Sequence, residues 1–194
     1  MIPPLATARL ALRPFEIGDV VPLYELWIRE AVRRYLWDGK IISVDQARSV
    51  VLEAIADAAR SSIGMWTLWV RGDPHLAGHC GFRWIGVARP ATTCSPESTP
   101  GHGTDVASEP ELLYALRPDL WGQGLATEAA RKCIEWLFQT RPASRILAGA
   151  DAANETSQRV LERLGFVPFD GRVPGPAGIR YFALARPGSP SKAR

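Results

Sequence analysis

Cysteine and histidine are scarce in this 194-residue sequence, and it has no long apolar run and no concentrated charge. Cys80, Cys94 and Cys133 are odd in number and lack metal-ligand spacing, which argues against a disulfide framework or thiolate metal centre and points to reduced thiols in the cytoplasm. Cys133 falls on an apolar helix face and Cys80 in a strand pattern, while Cys94 sits in a loop open to thiol reagents. His75, His79 and His102 do not cluster with carboxylates, so no metal site is expected. No apolar stretch is long enough for a bilayer, and the first residues lack the charged-then-apolar profile of a secretory leader; no membrane partner is expected. The formal net charge of +3 comes with no basic run interleaved with aromatics, which argues against a nucleic-acid partner. There are no internal repeats.

What remains is a chain of 46% hydrophobic residues, enough for one domain with a substantial core, expected over residues 1–186 and followed by a disordered tail at 187–194. Periodicity predicts a strand at 8–13, a helix at 19–31 and a helix at 44–60 opened by a capping-box pattern, Ser43 to Gln46. Strands are expected at 65–71 and 76–87, parted by Gly72, Asp73 and Pro74. Residues 88–108, rich in Pro, Thr, Ser and Gly, read as an irregular insertion. Then come a strand at 110–117, a helix at 124–140, a strand at 145–150, a helix at 155–164 and a last strand at 179–185. The fold class is α/β (α+β): a mixed sheet with helices on both faces.

The most informative stretch is Trp121-Gly122-Gln123-Gly124-Leu125-Ala126. Before it, Leu112-Leu113-Tyr114-Ala115-Leu116 reads as a buried strand stopped by Arg117-Pro118-Asp119. After it, Thr127 to Thr140 places Ala130, Cys133, Ile134, Leu137 and Phe138 on one helical face. Strand, glycine-punctuated turn and helix N-terminus together suit an anionic phosphate, because the unpaired N–H groups of the first helical turn point at the ligand with the helix dipole behind them. A tight turn using glycine only for its dihedrals is the plainer alternative. A P-loop is excluded because the Gly-Lys-Ser/Thr ending is missing. A dinucleotide-binding fingerprint is excluded because Asp151 lies too far along and most of the chain precedes the motif.

Asp151-Ala152-Ala153-Asn154-Glu155-Thr156-Ser157 opens the next helix, with Asn154 as N-cap, Val160, Leu161 and Leu164 as the buried stripe and Gly165 as C-terminal cap. Taken together the two segments resemble the GCN5-related N-acetyltransferases (GNAT), closest to the branch of the ribosomal-protein alanine acetyltransferases. The family signature Gln/Arg-x-x-Gly-x-Gly/Ala, followed in the next βα unit by Asn-x-x-Ser and Leu-Gly-Phe, is matched at Gly124, Ala126, Asn154, Ser157, Leu164, Gly165 and Phe166. It departs at Trp121, a position read as contributing mainly backbone. Thr7-Ala8-Arg9-Leu10-Ala11-Leu12-Arg13-Pro14-Phe15 resembles the opening strand of the same branch, so the likeness spans about residues 7 to 185. It implies the GNAT fold, with a mostly antiparallel central sheet splayed at the cofactor site, and acetyl-CoA as co-substrate. Transfer would go to a primary amine by direct attack on the thioester. The implied cofactor contacts are Tyr114, Ala115, Leu116, Trp121, Gly122, Gln123, Gly124, Leu125, Ala126, Thr127, Asn154 and Ser157. Among nearby cations, Arg117, Arg131, Lys132, Arg159 and Arg163 offer one or two contacts to the phosphates, or are solvated helix-face charges.

Acetyl transfer requires an amine stripped of its proton, a donor aimed at the thioester oxygen and a proton for the departing thiolate. Glu111 is the first candidate for base: strand alternation puts it on a face with Leu113 and Ala115, where a charge is unusual unless functional. A strand-end glutamate facing solvent is the alternative reading; Glu109, two residues back, is the alternate base, and backbone or water alone is a further route. The resemblance offers Ser157 as the donor to the leaving sulfur, although a first-turn hydroxyl also caps; Tyr181 is an alternate acid. The acceptor wall is expected from Trp27, Tyr35, Trp37 and Asp38 on one side and residues 169–179 on the other, with 88–108 as a lid. The branch suggests a protein N-terminus as acceptor. A small-molecule amine, a different acyl group, or a non-catalytic acyl-CoA sensor remain alternatives, and a homodimer is common among the enzymes it resembles.

Overall fold

The computed structural model of the protein describes residues 2–37, 39–88, 106–171, 173, 174 and 176–188. Asp38, Cys94 and 189–194 lie outside them, as does the expected insertion except at its two ends.

Among the described residues eight strands form one sheet: β1 (Leu5–Ala6), β2 (Leu10–Pro14), β3 (Met65–Val70), β4 (Leu76–Ala88), β5 (Val106–Leu116), β6 (Arg145–Asp151), β7 (Val167–Pro168) and β8 (Ile179–Ala185). Their spatial order is β1-β2-β3-β4-β5-β6-β8-β7. Every neighbouring pair is antiparallel except β5 and β6, which run parallel. The 88–108 expectation therefore needs trimming: Val106 to Ser108 pair with Ala88 to Gly86 and extend the β4–β5 ladder.

Five α-helices among the described residues cover the sheet: α1 (Val20–Trp27), α2 (Glu30–Arg33), α3 (Val44–Ser61), α4 (Leu125–Thr140) and α5 (Glu155–Arg163). The single helix expected at 19–31 is two. Ile28 closes α1, and the extended ψ of 129° at Arg29 turns the chain before α2 begins. The capping box of α3 is present, Ser43 Oγ accepting from Gln46 N at 3.1 Å and Gln46 Oε1 from Ser43 N at 2.8 Å.

Side-chain alternation sorts the interior into two layers. On one face Leu112 and Leu116 of β5, with Tyr114 half-buried against them, pack with Cys80 and Phe82 of β4 and with Ala129, Ala130, Cys133 and Leu137 of α4. On the other, Leu113 and Ala115 pack against Leu23, Leu26 and Trp27 of α1 and Val51 of α3. The expected α4 stripe is buried at Ala130, Cys133, Ile134 and Leu137. In α5 only Leu161 is fully buried, with Val160 and Leu164 half-exposed.

Candidate acetyl-transfer site

Two local features open a site at the middle of the sheet. The first is the parting of β5 from β6, which among the described residues pair at one register position, Glu111↔Leu147. Beyond Glu111, β5 stays laddered to β4 as far as Leu116↔Gly78, so its other edge, along 112–116, has no strand partner. Glu111 does not open the strand, as expected from sequence; it sits mid-strand at the point of divergence.

The second feature is the α4 N-terminus. Gly122 and Gly124 both adopt φ of 76°, the left-handed region in which a side chain is strained, and Gly124 is the N-cap. The amides of Leu125, Ala126 and Thr127 precede the first intrahelical bond, from Glu128 N to Gly124 O at 3.0 Å, so they point out of the helix end without a ladder partner. The turn is held from outside. Arg9 Nη1 donates to Gln123 O at 2.9 Å and Arg9 Nε to Glu128 Oε2 at 2.7 Å, and Gln123 Nε2 donates to Asp119 O at 3.1 Å. Trp121 does more than contribute backbone: its indole Nε1 donates to Leu116 O at 2.9 Å and ties the turn to the end of β5.

Asn154 caps α5, its Oδ1 accepting from Ser157 N at 3.0 Å. The Ser157 hydroxyl is shared with Tyr114, whose phenolic oxygen lies 2.8 Å from Ser157 Oγ and donates to Ser157 O at 3.1 Å. That contact spans the two arms of the splay, β5 and the helix after β6. Burial raises the Tyr114 phenol to about 12, against a smaller opposing pull from Ser157, so it is a neutral donor at physiological pH.

On the opposite face, Glu111 is almost fully buried, which rules out a solvent-facing strand end. Arg83, its register partner on β4, donates from Nε to Glu111 Oε2 at 2.6 Å. Gly149 lies beneath the carboxylate: a Cβ there would stand 3.2 Å from Glu111 Oε1 and 3.1 Å from the Tyr181 ring. Burial, and next the Glu111 charge, push the Tyr181 phenol above its ordinary value, Arg83 opposing. Glu109 is paired with Arg145, at 3.1 Å to Nε and 3.0 Å to Nη2, and Arg145 stacks 4.9 Å from the centre of Phe169. Sequence reasoning named Glu111, Glu109 and Tyr181 but missed Arg83 and Gly149. Pairing across an antiparallel ladder was the signal for Arg83, and it needs the β4–β5 register.

Of the cations expected near phosphate, Arg117 is committed elsewhere: its Nη2 bonds Asp73 at 2.7 Å and its Nε bonds Asp119 at 3.1 Å. Arg159 pairs with Glu155 along its own helix. Arg131, Lys132 and Arg163 do converge, with Gly124 and Thr127, on a cavity of about 550 Å³ beside the α4 N-terminus, which Arg9 and the carboxylates of Glu128 and Glu135 also line. A larger cavity, about 910 Å³, lies between α5 and the 168–181 segment and includes Phe169, Ile179 and Tyr181. On the acceptor side expected from sequence, Trp27 and Trp37 meet edge to face at 5.7 Å. No cluster of three or more metal-ligand side chains occurs among the described residues, and no described helix is long and apolar enough to cross a membrane.

The sequence profile of the acetyltransferase (GNAT) domain matches residues 9–167. An uncharacterised N-acetyltransferase of Bacillus licheniformis, p20, is 26% identical over 84% of this chain and 81% of its own. An acetyltransferase of Agrobacterium tumefaciens superposes with a TM-score of 0.74 at 20% identity, over 95% of each chain. RimL, described as a ribosomal L7/L12 alpha-N-protein acetyltransferase in complex with coenzyme A, superposes with a TM-score of 0.69 at 17% identity, over 93% of this chain and 96% of that one.

Proposed function

The chain belongs to the GNAT acetyltransferase family, and on that premise we propose that it is an acetyl-CoA-dependent N-acetyltransferase whose acceptor is a primary amine at a protein N-terminus. The observation that carries the reading is the opening of β5 from β6 after Glu111↔Leu147, facing the glycine-bounded N-terminus of α4. A phosphorylated cofactor fits this arrangement. Nothing lies within 4 Å of where a Cβ would stand on Gly122, so the backbone is bare on that side. The outward amides of Leu125, Ala126 and Thr127 suit a pyrophosphate, and Arg131, Lys132 and Arg163 add positive charge beside them. The unpaired edge of β5 over Tyr114, Ala115 and Leu116 offers backbone groups to an extended amide-bearing arm. The coenzyme A complex of RimL supports the same cofactor here, and its protein-N-terminal activity supports the acceptor class.

The bound cofactor supplies an acetyl thioester; the chain supplies everything else. Glu111, buried and within the acceptor layer, takes the proton that the amine must lose before its nitrogen forms the C–N bond. A β5 amide beside the divergence donates to the thioester oxygen as charge develops there. As the C–S bond breaks, the nitrogen gives up its second proton and the departing sulfur takes one up, so that amide and thiol result, with the Ser157 hydroxyl, 2.8 Å from the Tyr114 phenol, hydrogen-bonding the sulfur as its charge develops.

Two measurements test this. Calorimetry should show stoichiometric acetyl-CoA binding, and a thiol-release assay with N-terminal peptides should show turnover. In Glu111→Gln, acetyl-CoA affinity should stay within about two-fold while kcat falls by about 10²-fold or more. No acetyl-CoA binding would overturn the reading; unchanged turnover in Glu111→Gln would remove Glu111 from it.

A further inference from the structure

The two glutamates on the acceptor face of β5 are each covered by an arginine, but in different ways. Arg145 is fixed: it holds Glu109 through both Nε and Nη2 and its guanidinium stacks on Phe169. Arg83 holds Glu111 through Nε alone. Its Nη1 and Nη2, the open end of the guanidinium fork, have no hydrogen-bond partner among the described residues, and the side chain is 58% exposed while that of Glu111 is 3% exposed. The exposed guanidinium therefore pairs with a buried carboxylate while two of its nitrogens keep their N–H donors for another acceptor. That end matches a second carboxylate in bidentate geometry, the strongest pairing arginine makes.

The floor of the same spot points the same way. Gly149 leaves the space beside Glu111 Oε1 free of a side chain, with Tyr181 and Ile179 closing it at 3.1 and 3.0 Å from a would-be Cβ. Arg83 and Tyr181 are thus both neighbours of the Glu111 carboxylate, one bonded to Oε2 and the other beside Gly149 with Oε1. A cationic acceptor meets an uncompensated guanidinium there; an acceptor with a carboxylate a few bonds from its amine satisfies the fork as its nitrogen reaches the base.

We propose that Arg83 is the specificity-determining residue of the acceptor site and selects amines that carry a neighbouring carboxylate. The inference rests on the reading of Glu111 as the base. Two sources present this chemistry: a free amino acid, through its α-carboxylate, and a polypeptide N-terminus with an acidic side chain at its second residue. Polyamines and other polycations are selected against.

The test uses the full chain saturated with coenzyme A and two matched probe pairs, alanine against alaninamide and the peptide amides Ala-Asp-Ala against Ala-Asn-Ala, titrated by calorimetry. In at least one pair the carboxylate member should bind about ten-fold tighter or better, and the pair that responds identifies the source. Arg83→Met, which keeps the stem and removes the fork, should bring that preference within about two-fold while leaving acetyl-CoA affinity unchanged; Arg83→Lys, charged but unforked, should fall between. Equal binding within both pairs, a preference that survives in Arg83→Met, or no binding of any probe would overturn the proposal. The titrations need no turnover and are repeated without coenzyme A, so they read Arg83 even where acetyl-CoA fails to bind, the result that overturns the acetyltransferase reading instead.

Discussion

His79 lies on β4 opposite Ala115, buried in the acceptor-side layer. Its ring meets Phe15 edge-on at 6.1 Å and Trp27 at 5.7 Å, and neither Nδ1 nor Nε2 has a partner among the described residues. Desolvation by these apolar walls lowers its pKa from 6.5 to about 4. The unfolded chain therefore binds a proton more readily than the folded one between these values. Stability is greatest above about pH 6.5 and falls as the pH drops towards 4. A gap of about 2.5 pH units corresponds to about 3 kcal/mol in full, of which about 2 kcal/mol is lost between about pH 7 and pH 5. Urea denaturation at the two pH values measures the loss, and His79→Leu serves as reference, since other titrating groups contribute equally to both proteins. The wild type should lose about 2 kcal/mol more than the variant across that interval. At neutral pH the variant should be no less stable, because leucine removes two unpaired polar atoms at similar bulk. Equal pH dependence in the two proteins would refute the argument and mean that the imidazole is hydrogen-bonded in solution, for which buried water is the available partner.

The remaining predictions concern the backbone of the site. Gly124→Ala places a Cβ at φ of 76°, a strain of about 1–2 kcal/mol that distorts the α4 N-terminus; acetyl-CoA affinity should fall about ten-fold by calorimetry, and an unchanged Kd would detach this turn from cofactor binding. Gly149→Ala pushes a methyl to 3.2 Å from Glu111 Oε1; stability should fall by about 1 kcal/mol in urea, and kcat with a peptide acceptor should fall well beyond any change in acetyl-CoA affinity, equal losses in both counting against a role for that surface at the acceptor.

How far the sequence reached depends on whether each feature is local or not. The α3 capping box, the α5 N-cap at Asn154 and the left-handed glycines before α4 were legible because cap and turn chemistry acts within a few residues. The break between α1 and α2 was not, since Trp27, Ile28 and Val32 continue an apolar pattern through it and only packing against the sheet decides where the chain turns. The same division runs through the site. Glu111 stood out as a charge in an apolar strand, but whether it faced solvent depended on Arg83, 28 residues away, and on a glycine in β6. Arg117, from its place beside the motif, was open to either a phosphate or solvent, and is instead held by Asp73, 44 residues distant in sequence. A strand residue's role is fixed by the residue across the ladder, and register between β4 and β5 cannot be counted from either strand alone. Charge pairs of this kind decide which ionic groups remain available to a ligand. In this chain Arg145, Arg117 and Arg159 each bond a carboxylate through Nη2, whereas Arg83 bonds Glu111 through Nε and its Nη1 and Nη2 have no hydrogen-bond partner among the described residues.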